Sequence, residues 1–182
     1  MKNLIYKILT LNPRVWLKII PKKGNNAISR IVYHIMRSLT QIILSGEYPS
    51  SEKIKCKFSH HVGIVLAETE IGENTVLRQN TTIGRNPKSN QVPKIGAGCD
   101  FGTNCNIIGK TEIANNVTIG AGCNIAESKI EKNTKIGMGC TIVHSKVGKN
   151  CKILSGVVLY KQEIPDNSIV NPVTSNICVI AR

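Results

Sequence analysis

Aromatic side chains are scarce: one Trp, four Tyr and two Phe in 182 residues. A core without rings must be filled by β-branched aliphatics, which suits a narrow prism better than a broad sandwich. Acidic residues are scarce too, 11 against 24 Lys and Arg, for a net charge of +13. Residues 1–46 contain none of them beside eight Lys and Arg, and the remainder holds 16 basic against 11 acidic. Such a surface fits phosphorylated ligands, acidic glycans or an anionic membrane. It comes with no nucleic-acid module and no basic–aromatic interleaving, so nucleic acid is not an expected partner. No uncharged apolar run approaches the ~18 residues that cross a bilayer. Lys7 interrupts the first apolar stretch and no small-residue cleavage site follows it, which argues against a secretory signal. No Cys-x-x-Cys pair is present, so structural zinc is not expected.

What the chain does have is a count of six. Ile95, Phe101, Ile107, Ile113, Ile119 and Ile125 fall six apart without a slip. Neither a helix (3.6) nor a strand (2.0) brings every sixth side chain to one place, whereas a chain turning a corner every six residues does. Three such edges make a triangular coil of about 18 residues, and stacked coils pair as parallel strands. Four places after these apolar positions stand Cys99, Cys105, Thr111, Val117 and Cys123, all small enough for an inward site at a tight corner. The count shortens to five at Ile125–Ile130, Ile142–Val147 and Leu159–Ile164, so one corner is trimmed on successive coils. The fold expected is an all-β solenoid. Cys140 and Cys151 occupy the same small site as the other repeat cysteines, and all five read as buried fillers in a reducing compartment. That places the chain in the cytoplasm.

Residues 1–46 form a helical segment ahead of the solenoid. Ile28, Ile31, Val32, Ile35, Leu39, Ile42 and Ile43 fall at helical intervals, with Arg30 and Arg37 off the stripe. The segment caps the first coil or packs on a subunit partner. The alternative is a cationic surface helix touching the inner membrane peripherally. Residues 47–164 carry the coils, with sixes counted at Val65, Ile71, Leu77 and Ile83 and the last coil ending near Leu159. Between residues 84 and 93 the repeat is suspended and a loop is thrown out, the usual mark of a functional loop. Residues 165–182 form a tail that runs back over the edge or continues as an irregular strand.

Of four histidines two are adjacent, His60 and His61, just before Gly63 and about one coil below Gln79. With the ejected loop a coil further on, this gathers a titratable base, polar amides and a flap around one corner. The blocks His60-x-x-Gly63-Ile64-Val65, Glu68-Thr69, Gln79-x-Thr81-Thr82-Ile83-Gly84 and Pro93-Lys94-Ile95-Gly96 resemble the serine acetyltransferase branch of the hexapeptide-repeat acyltransferases. The likeness covers roughly residues 47–125 and resumes at residues 164–170. It implies a left-handed parallel β-helix, acetyl-CoA as co-substrate, and a homotrimer with sites between neighbouring prisms. It also implies His60 as general base, oriented by Glu47 or Glu68.

The departures from that family point to the acceptor. Ser59 stands where the family has an acidic residue, and Gln91-Val92 stands where it has Arg–His. Without those charged groups the ends of free serine lose their partners, whereas a neutral sugar hydroxyl needs none. The expected activity is therefore O-acetylation of a carbohydrate, with Ser59, His61, Gln79 and Gln91 lining the acceptor site. By match to the family's Ile–Gly–Ala–Gly blocks, Gly84, Thr103, Asn104, Gly120 and Ala121 line the donor groove, and Lys94 meets the nucleotide phosphates. Three alternatives remain: serine O-acetylation, a γ-type carbonic anhydrase needing a third zinc-binding histidine near the pair, and a non-enzymatic structural solenoid.

Overall fold

The computed structural model of the chain describes residues 55–172 apart from His61 and Glu68, the strand Ile177–Val179, and six helical positions between 27 and 35. Glu47, His61, Glu68 and most of the 1–46 segment lie outside the described residues. So do most of the positions after 172. At the helical positions Ile28, Ile31, Val32 and Ile35 are exposed. No described helix is long and apolar enough to cross a membrane.

The chain winds through three flat faces in turn. The first face stacks Lys57–Phe58, Val76–Leu77, Asp100–Phe101, Thr118–Ile119, Lys135–Ile136, Lys152–Ile153 and Ser168–Val170. The second stacks Val65–Leu66, Thr82–Gly84, Asn106–Ile108, Asn124–Ala126, Thr141–Val143 and Val158–Tyr160. The third stacks Glu70–Ile71, Lys94–Ile95, Glu112–Ile113, Lys129–Ile130, Lys146–Val147 and Glu163–Ile164. All these strands pair in parallel with the coil above and below, as in Asn106↔Asn124↔Thr141. The result is a left-handed parallel β-helix of six full coils and the opening strand of a seventh. Its connections run against the right-handed rule for βαβ crossovers, which depends on a helix packing back over a twisted sheet.

Each strand turns one residue inward, and the inward column is nearly pure aliphatic. Phe101, Ile107, Ile119, Ile125, Ile130, Ile142 and Val147 are all 1% exposed or less, each such burial contributing roughly 1.5–3 kcal/mol. The corner positions beneath them are filled by Thr69, Thr75, Thr81, Cys99, Cys105, Thr111, Val117, Cys123, Ser128, Thr134, Cys140, Ser145 and Cys151, all buried. The thiols donate to carbonyls of the coil above, Cys99 to Ala114 at 3.1 Å and Cys140 to Leu154 at 3.1 Å. Burial raises the Cys99, Cys105 and Cys151 thiols above their ordinary range. Contact with Cys140 and then burial do the same to Cys123.

Each corner needs a residue with positive φ, and the three corners meet that need differently. The corner from the third face to the first uses Asn74, Gly98, Asn116, Asn133, Asn150 and Asn167. Asparagine tolerates this conformation, and the side chains form a ladder: Asn133 Nδ2 donates to Asn150 Oδ1 and Asn150 Nδ2 to Asn167 Oδ1, each at 3.2 Å. The corner from the first face to the second uses Gly63, then Asn80 and Asn104, then Gly122, Gly139 and Gly156. The corner from the second to the third uses Gly109 where the count is still six, and Glu127, His144 and Lys161 where it is trimmed to five.

Three expectations about the repeat need correcting. In the first coil the inward residue of the second face is Leu66, with Val65 half-buried outside it, so Leu66 to Ile71 is a fourth trimmed step. Gly84 belongs to a strand, so the excursion starts at Arg85. The coils also continue past Leu159, because Ile164 and Val170 fill the core at the next two inward sites. Pro165 is accommodated at a corner, where no ladder hydrogen bond is asked of it. The tail does turn back: Ile177–Val179 pairs antiparallel with Ser168–Val170 and covers the open edge of the first face.

Candidate functional site

The histidine pair owes its position to a counting irregularity. Leu77 to Ile83 takes six residues between inward sites, whereas Phe58 to Leu66 takes eight. Backbone register locates the surplus. Ser59 N–H donates to Leu77 O at 3.0 Å, and Asn80 N–H to Val62 O at 2.9 Å. Val62 thus lies under Gln79, and the two residues with no counterpart in the coil above are His60 and His61. Of these, His60 stands exposed at the first corner.

Above the bulge the corner continues as a column. Asn104 N–H donates to Gln79 O at 3.1 Å, Gly122 N–H to Thr103 O at 2.8 Å, and Gly139 N–H to Ala121 O at 2.9 Å. Gln79, Thr103 and Ala121 therefore stack in successive coils, with Asn104 beside Thr103. Beside Gln79, Arg78 is clamped by Asp100 and donates to Phe101 O at 2.8 Å. The Asp100 hydrogen bond holds its guanidinium above the usual range. The Oε1 of Gln79 is buried without a hydrogen-bond partner. A buried amide oxygen without a donor costs about 1–3 kcal/mol, so it is a place for an incoming N–H or O–H to be received.

The structure therefore brings His60, Ser59, Gln79, Thr103, Asn104 and Ala121 to one corner. It does not bring the loop there. Residues 85–93 leave from the corner between the second and third faces, so the second face separates Gln91 from His60 within one chain. The loop is also not a free flap. Asn86 N–H donates to Gln91 O at 3.0 Å, Arg85 Nη1 to Asn90 Oδ1 at 2.6 Å, and Asn86 Nδ2 to Glu127 Oε1 at 2.6 Å.

Lys94 stands on the third face, in register between Glu70 and Glu112, away from the column. Gly84 lies on the second face, where a Cβ would meet Ile108 Cδ1 at 2.9 Å. At Gly120 a Cβ would press on the next coil, 2.6 Å from Met138 N and 2.7 Å from Gly137 C. Its smallness is required by coil stacking, whatever passes outside. The open positions are its neighbours Gly122, Gly139 and Gly156, where nothing lies within 4 Å of a Cβ. A track of three such glycines was missed in the sequence because their period is 17, the trimmed coil length.

His144 sits at the trimmed corner of the fifth coil, edge-on to Tyr160 with ring centroids 6.2 Å apart. It is thus far from His60 in the first coil. Among the described residues no three His, Cys, Asp or Glu side chains gather in a way that could hold a metal ion.

No protein-family model matches the chain, and no curated protein is similar enough in sequence to count as a relative. Solved structures do match. The acetyltransferase domain of PglB from Neisseria gonorrhoeae, in complex with acetyl coenzyme A, superposes with a TM-score of 0.56 at 18% identity, covering 75% of this chain and 62% of that one. The chain shares its fold with this acetyltransferase domain. The same domain without the ligand gives 0.55 at 18% identity, over 86% of this chain and 73% of that one. A truncated serine acetyltransferase apoenzyme gives 0.50 at 20% identity, over 63% and 52%. The chain thus spans less than two thirds of the length of the first of these neighbours.

Proposed function

We propose that this protein is an acetyl-CoA-dependent O-acetyltransferase acting on a carbohydrate hydroxyl, with His60 as general base. The observation that carries the reading is the two-residue bulge. It leaves His60 exposed one coil below a buried, unpartnered amide oxygen. A coil gains nothing from two extra residues at a corner, since all the later coils close that corner with a step of six. The likeness to acetyltransferases of known structure, one of them holding acetyl coenzyme A, supports the same reading.

The chemistry follows from the groups present. Imidazole is the side chain suited to exchanging a proton near neutral pH. His60 would take the proton of the acceptor hydroxyl as its oxygen attacks, and no covalent enzyme intermediate is required. Acetyl-CoA supplies the thioester carbonyl that is attacked. The column of Thr103, Asn104 and Ala121, continued by Gly122 and Gly139, fits an extended donor, because nothing stands within 4 Å outside those two glycines. Gln79 would orient the acceptor or the imidazole through its free Oε1. Neither Ser59 nor Gln91 carries charge, so neither offers a charge partner to an amino acid's ammonium or carboxylate.

Since one prism places His60 and Gln91 at different corners, a site using both needs a neighbouring copy, and a homotrimer closes that arrangement. Met138, Val158 and Tyr160 are 61%, 71% and 57% exposed in the single chain, which is apolar surface for such contacts. Acetyl-CoA supply would place the reaction in the cytoplasm, with residues 1–46 available for contact with an anionic membrane carrying a lipid-linked acceptor. The test is acetyl-CoA turnover by the purified full chain against sugars, glycans and free serine. Turnover with a carbohydrate at least several-fold above that with serine is expected. Preference for serine would overturn the acceptor assignment.

A further inference from the structure

We propose that Glu127 is a positioning residue for the acceptor, acting through the loop 85–93. The inference rests on the acyltransferase reading for its consequence, and on contacts within the chain for its structural basis. Inside the loop, Lys88 N–H donates to Asn86 Oδ1 at 2.9 Å and Asn90 N–H to Asn86 O at 2.8 Å. These bonds give the loop its shape but not its direction. Direction comes from Asn86 Nδ2, which donates to Glu127 Oε1 at 2.6 Å. Glu127 belongs to the fourth coil and the loop to the second, so the carboxylate spans the coil between them.

That span is built. Glu127 passes over Gly109, where a Cβ would collide with Oε1 and would sit 3.1 Å from Asn86 Cβ. Its Oε2 also accepts from Lys110 N–H at 3.3 Å. The coil itself asks only for a residue of positive φ at this corner. Glu127 has φ 49°, and the next two coils use His144 at 49° and Lys161 at 53° in the same place. A carboxylate is therefore optional for the turn and free to serve the loop. The chain of contacts ends on the acceptor side: Glu127 holds the Asn86 side chain, and Asn86 N–H holds Gln91 O at 3.0 Å. Gln91 is exposed, as are Arg85, Pro87, Lys88, Ser89 and Asn90, and it is the one of them that the acceptor reading uses.

The test uses the full chain and four variants: Glu127→Ala, Glu127→His, Asn86→Asp, and Asn86→Asp combined with Glu127→Gln. Glu127→His copies the next coil's corner and guards against damage to the turn. Asn86→Asp sets two carboxylates face to face, and the double variant restores one donor and one acceptor with polarity reversed. Tryptic cleavage after Arg85 and Lys88 in the native protein, followed by mass spectrometry, reports the tie without any activity. Losing a hydrogen bond to a charged group is expected to speed it about tenfold or more in the single variants, with recovery in the double. Acceptor KM should rise about tenfold in the same variants while kcat and the KM for acetyl-CoA change less than about threefold. Unchanged cleavage in the single variants overturns the tie, as does failure of the double to recover. Faster cleavage with an unchanged acceptor KM overturns the positioning role. A wild-type chain without turnover on any acceptor sinks the acyltransferase reading instead, and the cleavage rates still decide the tie.

Discussion

Gly120 separates two explanations for small residues along the first corner: room for a ligand outside, or room for the next coil above. In Gly120→Ala the added Cβ would stand 2.6 Å from Met138 N and 2.7 Å from Gly137 C. Both are backbone atoms, and the coils there are already bonded by Gly120 N–H to Ile136 O and Gly137 N–H to Ile153 O, each at 2.8 Å. Neither can swing away as a side chain would, so the two coils must part. Overpacking of this kind costs about 1–3 kcal/mol, which for a domain of this size lowers Tm by roughly 2–12 °C. The control is Gly122→Asn, two residues on. There φ is +70° and nothing lies within 4 Å of a Cβ, and asparagine already serves the same corner at Asn80 and Asn104. It should stay within about 0.5 kcal/mol of wild type. Thermal and urea denaturation of the three proteins measure the difference, and acetyl-CoA titration runs beside them. If Gly120→Ala were as stable as Gly122→Asn yet bound acetyl-CoA far more weakly, the stacking argument would be refuted.

Asn133→Ala is expected to cost about 2 kcal/mol, because it forces alanine into φ +61° and cuts the amide ladder to Asn150. Asn133→Gly removes only the ladder and should cost about half as much; equal losses would mean the ladder contributes nothing. The buried thiols make stability depend on alkaline pH. Cys99, Cys105 and Cys151 are raised by burial above the ordinary thiol value of 9.0, so the folded state keeps protons that the unfolded chain releases. Their contribution is whole below pH 9 and is lost as pH climbs from there towards the raised values. Urea midpoints should therefore fall between about pH 9 and 10.5 at constant ionic strength, and less steeply in a Cys99→Val variant. A flat profile would contradict the sign.

The solenoid was legible because it rests on a one-dimensional signal, apolar residues six apart with a small residue four places on. The burial of Phe101, Ile107, Ile113 and Cys105 is that signal realised. The trimmed corner was legible for the same reason. What holds that corner was not, since Glu127, His144 and Lys161 are not residue types that announce positive φ. The first coil was misread at its trimmed step, since counting back in sixes from Ile71 puts Val65 inside where Leu66 is the inward residue. The surplus of two residues between Ser59 and Val62 is exposed only by the backbone register against Leu77 and Asn80. Sequence distance also misplaced the loop. Residues 85–93 come soon after Gln79, but one intervening face carries them to another corner, and the bond from Asn86 to Glu127 crosses 41 positions that no local pattern connects.

The most direct test is His60→Ala, assayed for acetyl transfer at saturating acetyl-CoA and for acetyl-CoA binding by titration. Loss of a general base predicts a fall in rate of ~100-fold or more, with donor affinity changed by less than about threefold, because the donor track belongs to later coils. A variant that transfers acetyl groups as fast as the wild-type chain would contradict the assignment of His60 and, with it, the mechanism built on the bulge.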